Sequence, residues 1–160
     1  MSHTKSVQSP DSIQRLWANE VSRVFGDRLI NLDDTKWFTD IVMDLLGRSF
    51  RSSLEFDDLF GVNKVIWSDI LKIDAAMRLY EEVKDMPKLL KVMTNYLEEF
   101  NMSSSVKMNL VFFEDAVLHL MKILRTLRQP RGNIMLIGVG GSGKQSLIKL
   151  ASYIYQMEFK

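Results

Sequence analysis

Cysteine is absent from the 160 residues. That removes disulfides, thiolate metal sites and cysteine nucleophiles, and it is compatible with a reducing interior. A charge excess is also missing: 21 Lys and Arg stand against 20 Asp and Glu, a formal net charge of +1. Neither nucleic acid nor membrane is therefore expected as a partner through bulk electrostatics. No run reaches the roughly 18 consecutive apolar residues of a membrane-spanning helix, and the polar start Met1 to Pro10 has no apolar signal-peptide core. The expectation is a soluble, non-secreted protein with a loose N-terminus. Internal repeats and low-complexity tracts are lacking too. What is present is 46% hydrophobic content, enough to pack one ordinary domain or two pieces of neighbouring ones.

Asp11 or Ser12 can cap a first helix whose apolar stripe runs Ile13, Leu16, Trp17, Val21, Val24, Phe25 and Leu29. A second helix after Asp33-Asp34 carries Trp37, Phe38, Ile41, Val42, Leu45 and Leu46, with Gly47 placed as its stop. The short linkage favours an antiparallel pair. From Arg48 to Asp74 the pattern weakens, and Lys64-Val65-Ile66-Trp67 reads as a short strand. Helical signals resume around Tyr80, and Pro87 suits the first position of a further helix bearing Leu90, Met93, Tyr96, Leu97 and Phe100.

The small polar run Asn101-Met102-Ser103-Ser104-Ser105 separates two periodic blocks, so a module junction is expected there. Beyond it, Glu114 to Arg128 reads as a helix with Val117, Leu120, Met121, Leu124 and Leu127 inward, and Gln129-Pro130-Arg131-Gly132 turns the chain. Ile134-Met135-Leu136-Ile137 reads as a buried strand, and Lys144 to Gln156 as a helix.

Between that strand and that helix lies Gly138-Val139-Gly140-Gly141-Ser142-Gly143-Lys144, a P-loop. Glycines let the backbone turn with its N–H groups inward, the helix offers its positive end to a phosphate, and Lys144 adds a point charge. The candidate ligand-binding set is Gly138, Gly140, Gly141, Ser142, Gly143, Lys144, Gln145 and Ser146, for ATP or ADP. Gln145 stands where a Ser or Thr hydroxyl ordinarily holds Mg²⁺, and an amide oxygen is a poorer, bulkier ligand. Ser146 points about 100° further round the helix and is no obvious replacement. Phosphate binding is thus better supported than metal-assisted hydrolysis. No catalytic or metal-ligating residue is assigned, and this chain alone is expected not to hydrolyse ATP.

Glu114-Asp115 follows the apolar Leu110-Val111-Phe112-Phe113 and imitates the acidic strand of an ATPase. In the P-loop fold that strand comes after the loop in sequence, so first-turn helix acids are the better reading, with Leu110 to Phe113 as an apolar floor for adenine. His119 stands alone. Met43, Met77, Met86, Met93 and Met121 read as core filling, and Arg23 and Arg28 as helix-surface cations.

The strings Leu110 to Ala116, Leu127 to Asn133 and Gly138 to Leu147 closely resemble the start of the fourth AAA+ module of axonemal dynein heavy chains. Leu16 to Glu20 with Arg23 to Leu29 resembles the helical lid closing the third module. The resemblance spans nearly the whole chain and is least specific over Arg48 to Asp85. It implies an α+β, mainly α-helical fold, with residues 1–101 as the helical lid-like subdomain and 102–160 as the N-terminal portion of the next α/β core, P-loop included. At Gln145 axonemal dyneins are similar, whereas the cytoplasmic kind has Thr. The family's ring of six modules drives a microtubule stroke from the first, and the fourth binds nucleotide in a regulatory capacity. The implied partners are the remaining AAA+ modules, other dynein chains and microtubules; the implied place is the cytoplasm, the cytoskeleton and the axoneme of a cilium or flagellum. Arg23 would correspond to a sensing arginine of the lid. Two other readings compete: an assembly element with a non-hydrolysing P-loop, which Gln145 favours, and a small P-loop kinase, which would need an acidic strand downstream.

Overall fold

A computed structural model of the chain describes residue 7 and residues 9–61, 64–72 and 78–159. Most of the polar start, Asp74 and the expected core residue Met77 lie outside the described residues. The described residues form a mainly helical fold in two compact units. One holds residues 7, 9–61, 64–69 and 78–83, the other 70–72 and 84–159.

The first unit begins with α1 (Pro10–Val24), then a 3-10 turn (Gly26–Arg28), α2 (Leu32–Phe50) and the short α3 (Phe56–Phe60). The cap of α1 is Ser9, neither Asp11 nor Ser12: its hydroxyl accepts from the Ser12 amide at 3.1 Å. Pro10, pre-set in φ and lacking an N–H, is suited to the first turn, and so the start moves upstream. The buried face of α1 also differs from its apolar stripe. Gln14, Ala18, Asn19 and Ser22 are buried, while Ile13, Val24 and Phe25 are exposed. Those polar groups are satisfied locally: Ser52 donates to Gln14 Oε1 at 2.5 Å, Ser22 donates to the Ala18 carbonyl at 2.7 Å, and Asn19 donates to Glu20 at 3.0 Å.

Asn31 caps α2 by accepting from the Asp34 amide at 2.7 Å. Gly47 does not stop this helix, which runs on to Phe50 and ends at Arg51 in the left-handed conformation, φ 51°. The extra turn brings Phe50 to 5.2 Å from Trp17, a contact that outweighs one helical glycine. Ala18, Val42, Leu46 and Leu59 form the core shared by the three helices, with Trp17, Phe38 and Leu54 packed against it.

The strand expected at Lys64 to Trp67 is reduced to β1 (Trp67–Ser68), paired antiparallel with β2 (Glu81–Glu82) in the register Trp67↔Glu82. Nor is the chain helical around Tyr80. Tyr80 is buried with its ring 5.9 Å from Trp67, and its hydroxyl donates to Glu20 at 3.0 Å. Arg15 of α1 reaches Glu82 at 2.7 Å. These tertiary ties hold the segment extended against its local preference.

The second unit contains α4 (Met86–Ser103), α5 (Glu114–Arg128) and α6 (Lys144–Ile154). Asp85 caps α4 by accepting from the Lys88 amide at 3.0 Å, with Pro87 in the first turn. Helix α4 turns inward Leu89, Val92, Met93, Tyr96 and Leu97; α5 turns inward Val117, Leu120, Met121, Ile123 and Leu124; α6 turns inward Leu147, Leu150, Ala151 and Ile154. The second compact unit thus begins before residue 101. Helix α4 runs through that position, and its Phe100 meets Tyr153 of α6 edge-on at 5.5 Å. The Asn101 side chain also holds both backbone groups of Met108, at 2.7 and 3.0 Å.

The segment Ile134 to Ile137 lies in neither helix nor sheet and is not the buried strand expected. Ile134 and Leu136 are half-buried while Met135 and Ile137 are exposed, and among the described residues the only sheet is β1–β2. A parallel strand is buried on both faces only when strands flank it and helices cover it. Here only Ile134 and Leu136 are even half-buried.

Candidate functional site

The P-loop follows the segment Ile134 to Ile137 from Gly138 and enters α6 at Lys144. Gly141 and Gly143 both have φ 76°, the left-handed region that glycine adopts without strain, so the two residues make the turn that leads into α6. A side-chain carbon built at Gly140, Gly141 or Gly143 would meet nothing within 4 Å, which leaves open space over the loop.

Helix α6 differs from α1, α2 and α4 at its start: its cap is Gly143, and no side chain caps it. The first intrahelical bond runs from the Leu147 amide to the Gly143 carbonyl at 3.0 Å. The amides of Lys144, Gln145 and Ser146 precede it and have no carbonyl one turn back within the helix. Three N–H donors and the positive end of the helix dipole converge where an anion would sit. Lys144 stands at the same end. Its Nζ donates to the carbonyls of Gly138 at 2.8 Å and Val139 at 2.5 Å, and to Ser142 Oγ at 2.8 Å.

Gly138, Gly140, Gly141, Ser142, Gly143 and Lys144 are thus brought together in one loop. Gln145 is exposed in the first turn of α6. Ser146 is directed elsewhere: it lines a cleft of about 550 Å³ with Phe100, Lys107, Lys149 and Tyr153, to which no residue of Gly138 to Lys144 contributes. Among the described residues no group of three or more His, Asp or Glu is placed to hold a metal ion. The donor set fits a phosphate through backbone amides and one ammonium, whereas its fit to Mg²⁺ rests on the amide of Gln145.

Glu114 and Asp115 occupy the exposed first turn of α5, where carboxylates favour the helix dipole. Leu110 and Phe112 are half-buried, with Val111 and Phe113 exposed between and beyond them. His119 is exposed. Arg23, in the first unit, pairs with Asp27 at 3.4 Å. The part of Ser142 as a partner of Lys144 was not legible in the sequence, because serine is common in such loops for its size alone.

A family model described as the P-loop containing dynein motor region D4 matches residues 108–160, the stretch from Met108 through the loop and α6. Loop, helix and match together define a P-loop segment of dynein motor type. Similar proteins make the family narrower. Dynein axonemal heavy chain 2 of Homo sapiens is 45% identical over 145 residues, 89% of this chain. Dynein axonemal heavy chain 6 of Homo sapiens is 38% identical over 152 residues, 93% of this chain. Dynein axonemal heavy chain 1 of Mus musculus is 35% identical over 161 residues, 99% of this chain. The chain belongs to the axonemal dynein heavy chains. It spans only 3–4% of the length of these curated relatives.

Proposed function

We propose that this chain contributes a regulatory ATP- or ADP-binding P-loop to a microtubule-based motor of the ciliary or flagellar axoneme. In this reading residues 1–101 are the helical lid of the third AAA+ module and residues 102–160 open the fourth. The partners are the other modules of the same heavy chain, other dynein chains and, through the whole motor, microtubules. The observation that carries the reading is the uncapped start of α6 beneath a two-glycine turn, with Lys144 beside it.

The chain's own residues divide the work. The amides of residues 144–146 bind and orient phosphate oxygens, Lys144 neutralises charge on the outer phosphates, and the absence of side chains at Gly140, Gly141 and Gly143 lets the backbone approach. A bound nucleotide supplies the phosphate anion whose presence or loss the motor ring would sense. Mg²⁺ would meet this site through Gln145. The competing reading, an assembly element with a non-hydrolysing P-loop, draws its support from that same residue.

Equilibrium titration with a fluorescent ADP analogue tests the proposal. Saturable binding is expected, weakened about 10- to 100-fold by Lys144→Ala, the equivalent of one charge-assisted hydrogen bond. Binding that ignores the lysine would overturn it.

A further inference from the structure

A lysine ammonium has three N–H donors and no acceptor. The loop offers Lys144 three oxygens: the Gly138 carbonyl at 2.8 Å, the Val139 carbonyl at 2.5 Å and the Ser142 hydroxyl at 2.8 Å. Its donor capacity is filled by atoms within six residues of itself. A carbon built on Gly138 would stand 3.4 Å from Lys144 Nζ and 3.6 Å from both Lys144 Cδ and Ser142 Oγ, ordinary contact distances, so the lysine stem and the hydroxyl lie side by side against Gly138.

We propose that Lys144 and Ser142 form a latch, and that a phosphate reaches the lysine by exchanging with these oxygens, so that Ser142 is a positioning residue governing access to the cation. This deepens the phosphate reading of the loop and rests on it. Two of the three partners are backbone carbonyls that no side-chain change removes. The serine hydroxyl is the replaceable one. It is a neutral acceptor, and an anionic phosphate oxygen makes the shorter and stronger bond to an ammonium. The ligand class that opens the latch is therefore a phosphate anion, and a neutral sugar or base does not substitute for it. Ser142 is exposed and lies outside the left-handed region, so replacing it leaves the backbone of the loop unstrained.

Trace acetylation of lysine amines, read peptide by peptide by mass spectrometry, measures how far Nζ is engaged. Lys88, exposed in the first turn of α4, serves as the internal reference. Lys144 is expected to react more slowly than Lys88 in the unaltered chain. Ser142→Ala should raise the Lys144 to Lys88 ratio at least ~3-fold, a charge-assisted bond discounted for its exposure. Ser142→Thr, which keeps the hydroxyl, should restore the original ratio; a merely structural serine would not distinguish the two variants in this way. A ratio unmoved by Ser142→Ala overturns the latch. Inorganic pyrophosphate added to the unaltered chain should slow labelling of Lys144 further and leave Lys88 alone. Labelling indifferent to pyrophosphate would overturn the phosphate reading instead, while the variants without pyrophosphate still judge the latch.

Discussion

Gly132→Ala is expected to weaken the second unit more than any other single methyl added to a glycine of that unit. Gly132 closes the turn after α5: its amide donates to the Gln129 carbonyl at 2.9 Å, and the Gln129 amide donates to the Thr126 carbonyl at 3.1 Å. A Cβ at this position would fall 1.9 Å from the Thr126 carbonyl oxygen and 2.9 Å from its carbon. Comfortable spacing for non-bonded atoms is roughly 3.5 Å, so the backbone must part by about 1.5 Å. Both atoms in conflict belong to the main chain, and no rotamer relieves the clash. The hydrogen bond to Gln129 is expected to be lost, which with the strain comes to about 2–4 kcal/mol. For a unit of this size that corresponds to roughly 10–25 °C in melting temperature. Thermal denaturation followed by circular dichroism, together with amide exchange in α5, measures it. An unchanged midpoint with unchanged protection in α5 would refute the steric argument.

Gly47→Ala should do the opposite: a methyl there meets nothing within 4 Å inside α2, and exchanging a helical glycine for alanine should add about 0.5–1 kcal/mol in chemical denaturation. A loss of stability would mean that the glycine serves something other than helix. Gln145→Thr should strengthen Mg²⁺-dependent nucleotide binding, since a hydroxyl suits the hard cation better than a longer amide; titrations with and without Mg²⁺ that respond equally in both proteins would contradict this. The purified chain should release no phosphate from ATP above background, because phosphoryl transfer needs a positioned water and neutralised charge as well as a cradle. Turnover abolished by Lys144→Ala would sink that expectation.

Much of this was legible in the sequence, for a physical reason. The apolar rhythm of α5 and the glycine spacing of the loop depend on contacts close in sequence, so their pattern survives in one dimension; of the residues expected inward on α5, Val117, Leu120, Met121 and Leu124 are buried, while Leu127 is half-exposed and Ile123 is buried instead. Where sequence and structure part, a distant residue decided. Tyr80 has helical neighbours in sequence, yet its ring and hydroxyl answer to Trp67 and Glu20. Gly47 has the mark of a stop, but Phe50 finds Trp17 one turn later. The polar run at Asn101 has the composition of a linker, but the Asn101 amide spends its hydrogen bonds on Met108 and ties α4 to the segment that leads into α5. The glycine loop was readable because its residues are consecutive; the triple engagement of Lys144 depends on rotamers that no spacing encodes.

The alternation along Ile134 to Val139 has a practical side. Met135, Ile137 and Val139 are 80%, 84% and 79% exposed on a stretch whose amides and carbonyls have no ladder partner among the described residues. Ahead of Gly138 and Val139, whose carbonyls accept from Lys144, an exposed apolar stretch outside any sheet is a template for another strand, and the first strand it meets in a concentrated solution is its own copy in a neighbouring molecule. Handling of the purified chain is thus governed by the segment that delivers the P-loop. Its colloidal behaviour should worsen with concentration and improve when a charged residue replaces Met135 or Ile137, because a single charge at such a position is enough to discourage edge-to-edge stacking.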